Sequence, residues 1–128
     1  MPIRTAGVTL VELLIVVVVV AILASIAVPS YSEYIRRSNR RAAQAVMMEM
    51  ATRQQQYFAA NRAYASEAEL GFALPPEVVD NYEYDIDLDD GPPPTFTIEF
   101  SPLPGSRQGG DVDLSLTSDG VKSPAGKW

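Results

Sequence analysis

Any chemistry in this chain has to come from carboxylates, guanidiniums, hydroxyls and phenols, because its 128 residues include no histidine and no cysteine. The commonest general base and metal ligand are therefore missing, disulfides are excluded, and the redox compartment is unmarked. Three placements invite a specific reading. Asp85, Asp87 and Asp89 are spaced like the opening of a calcium loop, which would continue with glycine at position 90 and glutamate at position 96. Asp90 and Phe96 stand there instead, and Ile86 and Leu88 between the aspartates suit a strand whose carboxylates face water. Arg36, Arg37, Arg40 and Arg41 could meet phosphates. Glu12 lies in an apolar run, where a carboxylate costs about 2.5–3.5 kcal/mol near a bilayer centre and less toward the interface. No nucleophile–base pair, phosphate loop or metal constellation emerges, so the expectation is a non-enzyme with no cofactor and no bound metal.

The element that carries Glu12 is legible. Leu13 to Ala24 is unbroken apolar sequence, including five valines from Val16 to Val20. With its flanks the run reaches about 19 residues, enough for a helix to cross ~30 Å of hydrocarbon. Valine is a poor helix former in water, but in lipid only a helix satisfies each backbone group within the segment. A secretory signal would end in a small-residue cleavage site, whereas Pro29-Ser30-Tyr31 follows this run. The small residues Ala6-Gly7 precede it, so cleavage there leaves the apolar helix on the protein.

Pro29 lacks an N–H and crowds the carbonyl of Ser25, so a bend is expected there. From Ser30 to Asn61 there is no further breaker. Ile35, Ala42, Val46, Met50 and Tyr57, flanked by Ala43, Met47 and Phe58, form a stripe at helical spacing. A loop with one turn of helix should follow, and then three runs that alternate. Tyr82, Tyr84, Ile86 and Leu88 oppose Glu83, Asp85 and Asp87; Phe96, Ile98 and Phe100 oppose Thr95, Thr97 and Glu99; Val112, Leu114 and Leu116 oppose Asp113, Ser115 and Thr117. Each predicts a strand with one buried face. The fold class is α+β: an antiparallel meander on the amphipathic half of one helix of about 50 residues, whose first half is apolar all round.

Charge divides along the chain. Residues 36–62 carry six arginines against Glu49, net +5, while residues 63–128 carry three basic and thirteen acidic residues, net −10. Complementary packing between neighbouring subunits explains both halves, whereas DNA binding explains one and finds no aromatic side chain interleaved with the arginines. Trp128 suits a core or edge plug.

The leader with Arg4, then Gly7, Val8-Thr9-Leu10-Val11-Glu12-Leu13 and the apolar run, resembles the class III signal of type IV pilins and pseudopilins. "RQQQYFAANRAYAS" and "LSLTSDGVKSPAGKW" resemble PilE-type minor pilins. The resemblance implies a leader over 1–7, cleavage after Gly7 by a prepilin peptidase and methylation of the new amine on Val8, where the family usually has phenylalanine. It implies a membrane and filament-core helix over 8–29, its amphipathic half over 30–61 and a globular head over 62–128. It makes Glu12 the group that sets assembly register by meeting the amine of Val8 on an adjacent subunit. The implied partners are other pilin subunits, the peptidase and the inner-membrane assembly machinery, with nucleic acid disfavoured. The implied location is a single pass of the inner membrane with the N-terminus cytoplasmic, then an extracellular filament serving adhesion or twitching motility. A minor pilus subunit is the first reading, a pseudopilin of a type II secretion system the alternative, and a DNA-uptake pilin the third. Counting positive charge alone would turn the chain the other way, since the four arginines follow the span.

Overall fold

The structure, a computed structural model, describes residues 6–128. Most of the expected leader, residues 1–5 with Arg4, lies outside the described residues. The elements are α1 (Leu10–Asn61), α2 (Glu67–Leu70), α3 (Pro76–Val79), β1 (Tyr82–Asp89), β2 (Thr95–Pro102), β3 (Leu114–Thr117) and β4 (Lys122–Ser123). The chain divides after Ile35 into two units, the second being Arg36–Trp128.

In the first unit α1 starts at a capping box. The Thr9 hydroxyl accepts from the Glu12 N–H at 3.2 Å, and the Glu12 carboxylate accepts from the Thr9 N–H at 3.2 Å. Two N–H groups that helix geometry leaves without partners are satisfied in this way. The helix continues through Pro29. Around it the Ser25 and Ser30 hydroxyls donate to the carbonyls of Ile22 and Ile26, at 2.7 and 3.1 Å.

In the second unit α1 buries Ala43, Val46, Met47 and Met50, the spacing of one helical face, against the inner side of the sheet. The sheet is an antiparallel meander in the order β1-β2-β3-β4. Ile86 pairs with Ile98, and Ile98 with Leu116. Tyr82, Ile86, Phe96, Ile98, Phe100, Leu114 and Leu116 fill the core from the sheet side. Glu83, Asp85, Asp87 and Glu99 face solvent, as the alternation requires.

Three details depart from the sequence reading. The third strand is four residues long rather than seven, because Asp111 is drawn toward the helix and the ladder begins only at Leu114. A short fourth strand, β4, joins the meander. The loop after α1 holds two single turns of helix instead of one. That loop is fastened by Gln54, whose buried amide donates to the Ala65 carbonyl at 2.7 Å and accepts from the Ala65 N–H at 2.8 Å. A glutamine used like a strand partner leaves no mark in a hydrophobic pattern.

Candidate functional site: the apolar helix and the arginine face

Every large hydrophobic residue from Leu10 to Val28 is exposed, from 48% at Val19 to 79% at Leu10. Among the described residues α1 is the one helix long and apolar enough to cross a membrane, and its apolar stretch buries nothing against this chain. Surface of that kind and extent is stable only in lipid or against other helices. Gly7 and Val8 precede the helix and are exposed, with open space around the Gly7 Cα. Glu12 sits in the first turn with its carboxylate engaged in the cap, where the positive end of the helix dipole also favours an anion. The sequence reading missed this cap, although Thr9-x-x-Glu12 before an apolar run is its signature.

The arginines of residues 36–41 take separate roles. Arg40 is buried and grips Asp111 with both prongs of its guanidinium, Nε to Oδ2 at 3.0 Å and a terminal nitrogen to Oδ1 at 2.5 Å. The two side chains are 10% and 8% exposed. Arg36 donates to the carbonyls of Arg107 and Gly109 at 3.1 and 2.7 Å. Gln108, fully buried, donates back to the Arg36 carbonyl at 3.0 Å and to Asp111 at 2.6 Å. These contacts latch the glycine-rich loop before β3 onto α1. Burial raises the Asp111 carboxyl, but hydrogen bonds from Arg40 and Gln108 outweigh it and hold the group below the usual aspartate range. The neighbouring Tyr82 phenol is pushed up to about 12, first by burial and then by the charge of Asp111. Arg36 and Arg40 therefore serve the head itself, which narrows the expectation that the basic half is matched by neighbouring subunits.

Arg37, Arg40, Arg41, Gln44, Lys127 and Trp128 line a cavity of about 200 Å³. The Gln44 amide donates to the Lys127 carbonyl at 2.7 Å, and the Trp128 indole N–H donates to the Ser123 carbonyl at 2.9 Å. Lys122 stands 5.3 Å from the centre of the Trp128 ring, within cation–π range. Folding thus brings next to the arginines the aromatic ring that linear spacing did not supply. Trp128 also packs against the core as a half-buried plug. Asp85, Asp87 and Asp89 lie exposed along extended β1, not in a loop that wraps an ion. No cluster of three or more ligating side chains suited to a metal occurs among the described residues.

The geometry agrees with comparisons to known proteins. The family described as "Type IV minor pilin ComP, DNA uptake sequence receptor" matches residues 29–111. The prokaryotic N-terminal methylation motif matches residues 3–28. The type IV major pilin protein PilA of Myxococcus xanthus (strain DK1622) is 38% identical over 82 residues, 63% of this chain and 36% of that protein. The chain thus spans little more than a third of the length of that relative.

Proposed function

The chain belongs to the type IV pilin family, with the ComP minor-pilin domain over residues 29–111, and from that premise we propose that it is a minor structural subunit of a type IV pilus. It is held in the inner membrane by the apolar part of α1, with its N-terminus cytoplasmic, and cut after Gly7 by a prepilin peptidase. After methylation at Val8 the machinery of the inner membrane packs it by its helix into an extracellular filament. The observation that carries this reading is the uncovered apolar surface from Leu10 to Val28. Lipid covers such a surface before assembly and neighbouring helices cover it afterwards. Glu12 sets the axial register, because an anion among valines is stabilised at the one offset that brings the Val8 amine of an adjacent subunit to it. The role is structural rather than catalytic. A pseudopilin of a type II secretion system would use the same helix.

Intact mass spectrometry of membrane extracts and of sheared surface filaments tests the proposal. The expected species lacks residues 1–7 and starts with a methylated valine. A protein still starting at Met1, one lacking residues 8–28, or absence from sheared filaments would overturn it.

A DNA-uptake role is the second reading. Two observations favour it: the matching family is that of a DNA uptake sequence receptor, and cationic side chains line a cavity together with Trp128. A gel shift with double- and single-stranded DNA at physiological salt tests it, and no retardation of either would remove it.

A further inference from the structure

The cavity beside Trp128 combines features that point to a narrower ligand than duplex DNA. Four of its lining residues are basic, namely Arg37, Arg40, Arg41 and Lys127, and no carboxylate side chain joins them. Arg40 is already committed to Asp111, so the exposed cations at the rim are what an incoming phosphate meets, Arg41 and Lys127 foremost. The indole is held in place: its N–H is bonded to Ser123, Lys122 attends the ring, and Gln44 ties the adjoining Lys127 backbone to α1. A fixed aromatic surface flanked by cations is the arrangement that takes an unstacked base and its phosphate.

Size and surroundings argue against a duplex at this place. About 200 Å³ admits one planar heterocycle with its phosphate, not a double helix. Residues 63–128 are acidic overall, net −10 with Lys127 included, and would repel the broad phosphate track that duplex binding engages. Gly126, Lys127 and Trp128 lie beyond residues 29–111, the part matched by the DNA-receptor family, so the aromatic side of the cleft is added to arginines that lie within the matched part.

We propose that the cleft takes one unpaired nucleotide of a single strand, its base against Trp128 and its phosphate against Arg41 and Lys127, a proposal that rests on the DNA reading. Trp128 is the single tryptophan of the chain, so fluorescence excited at the red edge, where the six tyrosines do not absorb, reports this cleft.

The test uses the full chain in detergent micelles, titrated with a 12-nucleotide single strand, with the duplex of the same sequence and with inorganic phosphate. The single strand should quench the fluorescence saturably, at concentrations well below those at which duplex or phosphate act. Anisotropy of a labelled strand should show Trp128→Ala weakening affinity about 5- to 150-fold, the range for one lost base stack. Trp128→Phe should retain most of the binding, which separates stacking from support of the fold. With the one phosphate that Arg41 and Lys127 engage, the logarithmic salt slope should be about −0.7, and Arg41→Ala with Lys127→Ala should flatten it. Duplex binding without a change in Trp128 fluorescence would leave the DNA reading standing and overturn this inference. Equal affinity of wild type and Trp128→Ala, or quenching by phosphate alone at the same concentration, would also overturn it. No binding of either DNA form would end both.

Discussion

At the scale of single residues, Glu12 has two claims on it. It closes a capping box with Thr9, and it is the one charge inside a surface of valine and leucine. Two substitutions separate the claims. Glu12→Gln keeps the acceptor that the cap needs but removes the charge, whereas Glu12→Val removes both. If register depends on the charge, both variants should be cleaved and inserted normally and both should be strongly depleted from sheared filaments, by immunodetection. If the cap is what counts, Glu12→Gln should enter filaments like wild type, and only Glu12→Val should lose them; the cap is worth about 0.5–2 kcal/mol. Thr9-x-x-Glu12 carries a cap signature that the sequence reading passed over, because the resemblance drew attention to Glu12 as a register charge among apolar neighbours.

Arg40 and Asp111 show the opposite case. Nothing in the sequence joins two residues 71 positions apart, and Arg40 read as one of a cluster that could meet phosphates or a neighbouring subunit until the fold buried it. Removing one partner leaves an uncompensated buried charge, so Arg40→Ala should cost about 3–5 kcal/mol in chemical denaturation of the head. The pair also fixes a pH response. Asp111 has a lowered folded pKa, so its contribution is fully present above the ordinary aspartate value of 3.8 and is lost as pH falls through the lowered value. Tyr82 acts at the other end: unfolded chains ionise tyrosine near 10.0 while the folded head holds the proton to about 12, so stability falls as pH rises through that window. Thermal midpoints across pH should form a plateau that drops at both ends, and Tyr82→Phe should soften the alkaline drop.

At the scale of elements, the alternation of apolar and polar residues was sufficient to find β1 and β2 and the helix face that meets them. It overestimated β3 because Val112 continues the pattern while Asp111 is bound elsewhere, and it passed over β4 because two exposed residues have no pattern to show. Leu114, fully buried and paired with Phe100, tests the sheet. Leu114→Asp brings an unpaired carboxylate into the core and should destabilise the head by more than about 4 kcal/mol, read by circular dichroism during urea unfolding. An unchanged midpoint would mean that the meander is not the core.

At the scale of the whole molecule, the division after Ile35 separates a segment whose described residues are exposed as far as Tyr34 from a head with its own core. Residues 30–128 without the apolar stretch should therefore remain soluble and give a mixed helix and sheet spectrum with a cooperative thermal transition. An insoluble or wholly helical fragment would refute that independence. The apolar run that precedes this division, and its length, were visible in the sequence. The cleft beside Trp128 was not, since it depends on how the last residues return to α1 through Gln44.

The latch of Arg36, Arg40, Gln108 and Asp111 closes the head without sulfur. Its parts are ready as soon as the chain is: no oxidant, no thiol catalyst and no reshuffling of wrong pairings stands between synthesis and the finished head. Maturation is in this respect indifferent to the redox poise of the space it passes through, and millimolar dithiothreitol should leave its melting point unmoved. If the chain serves as the pilus subunit proposed, its head needs no oxidative step before assembly.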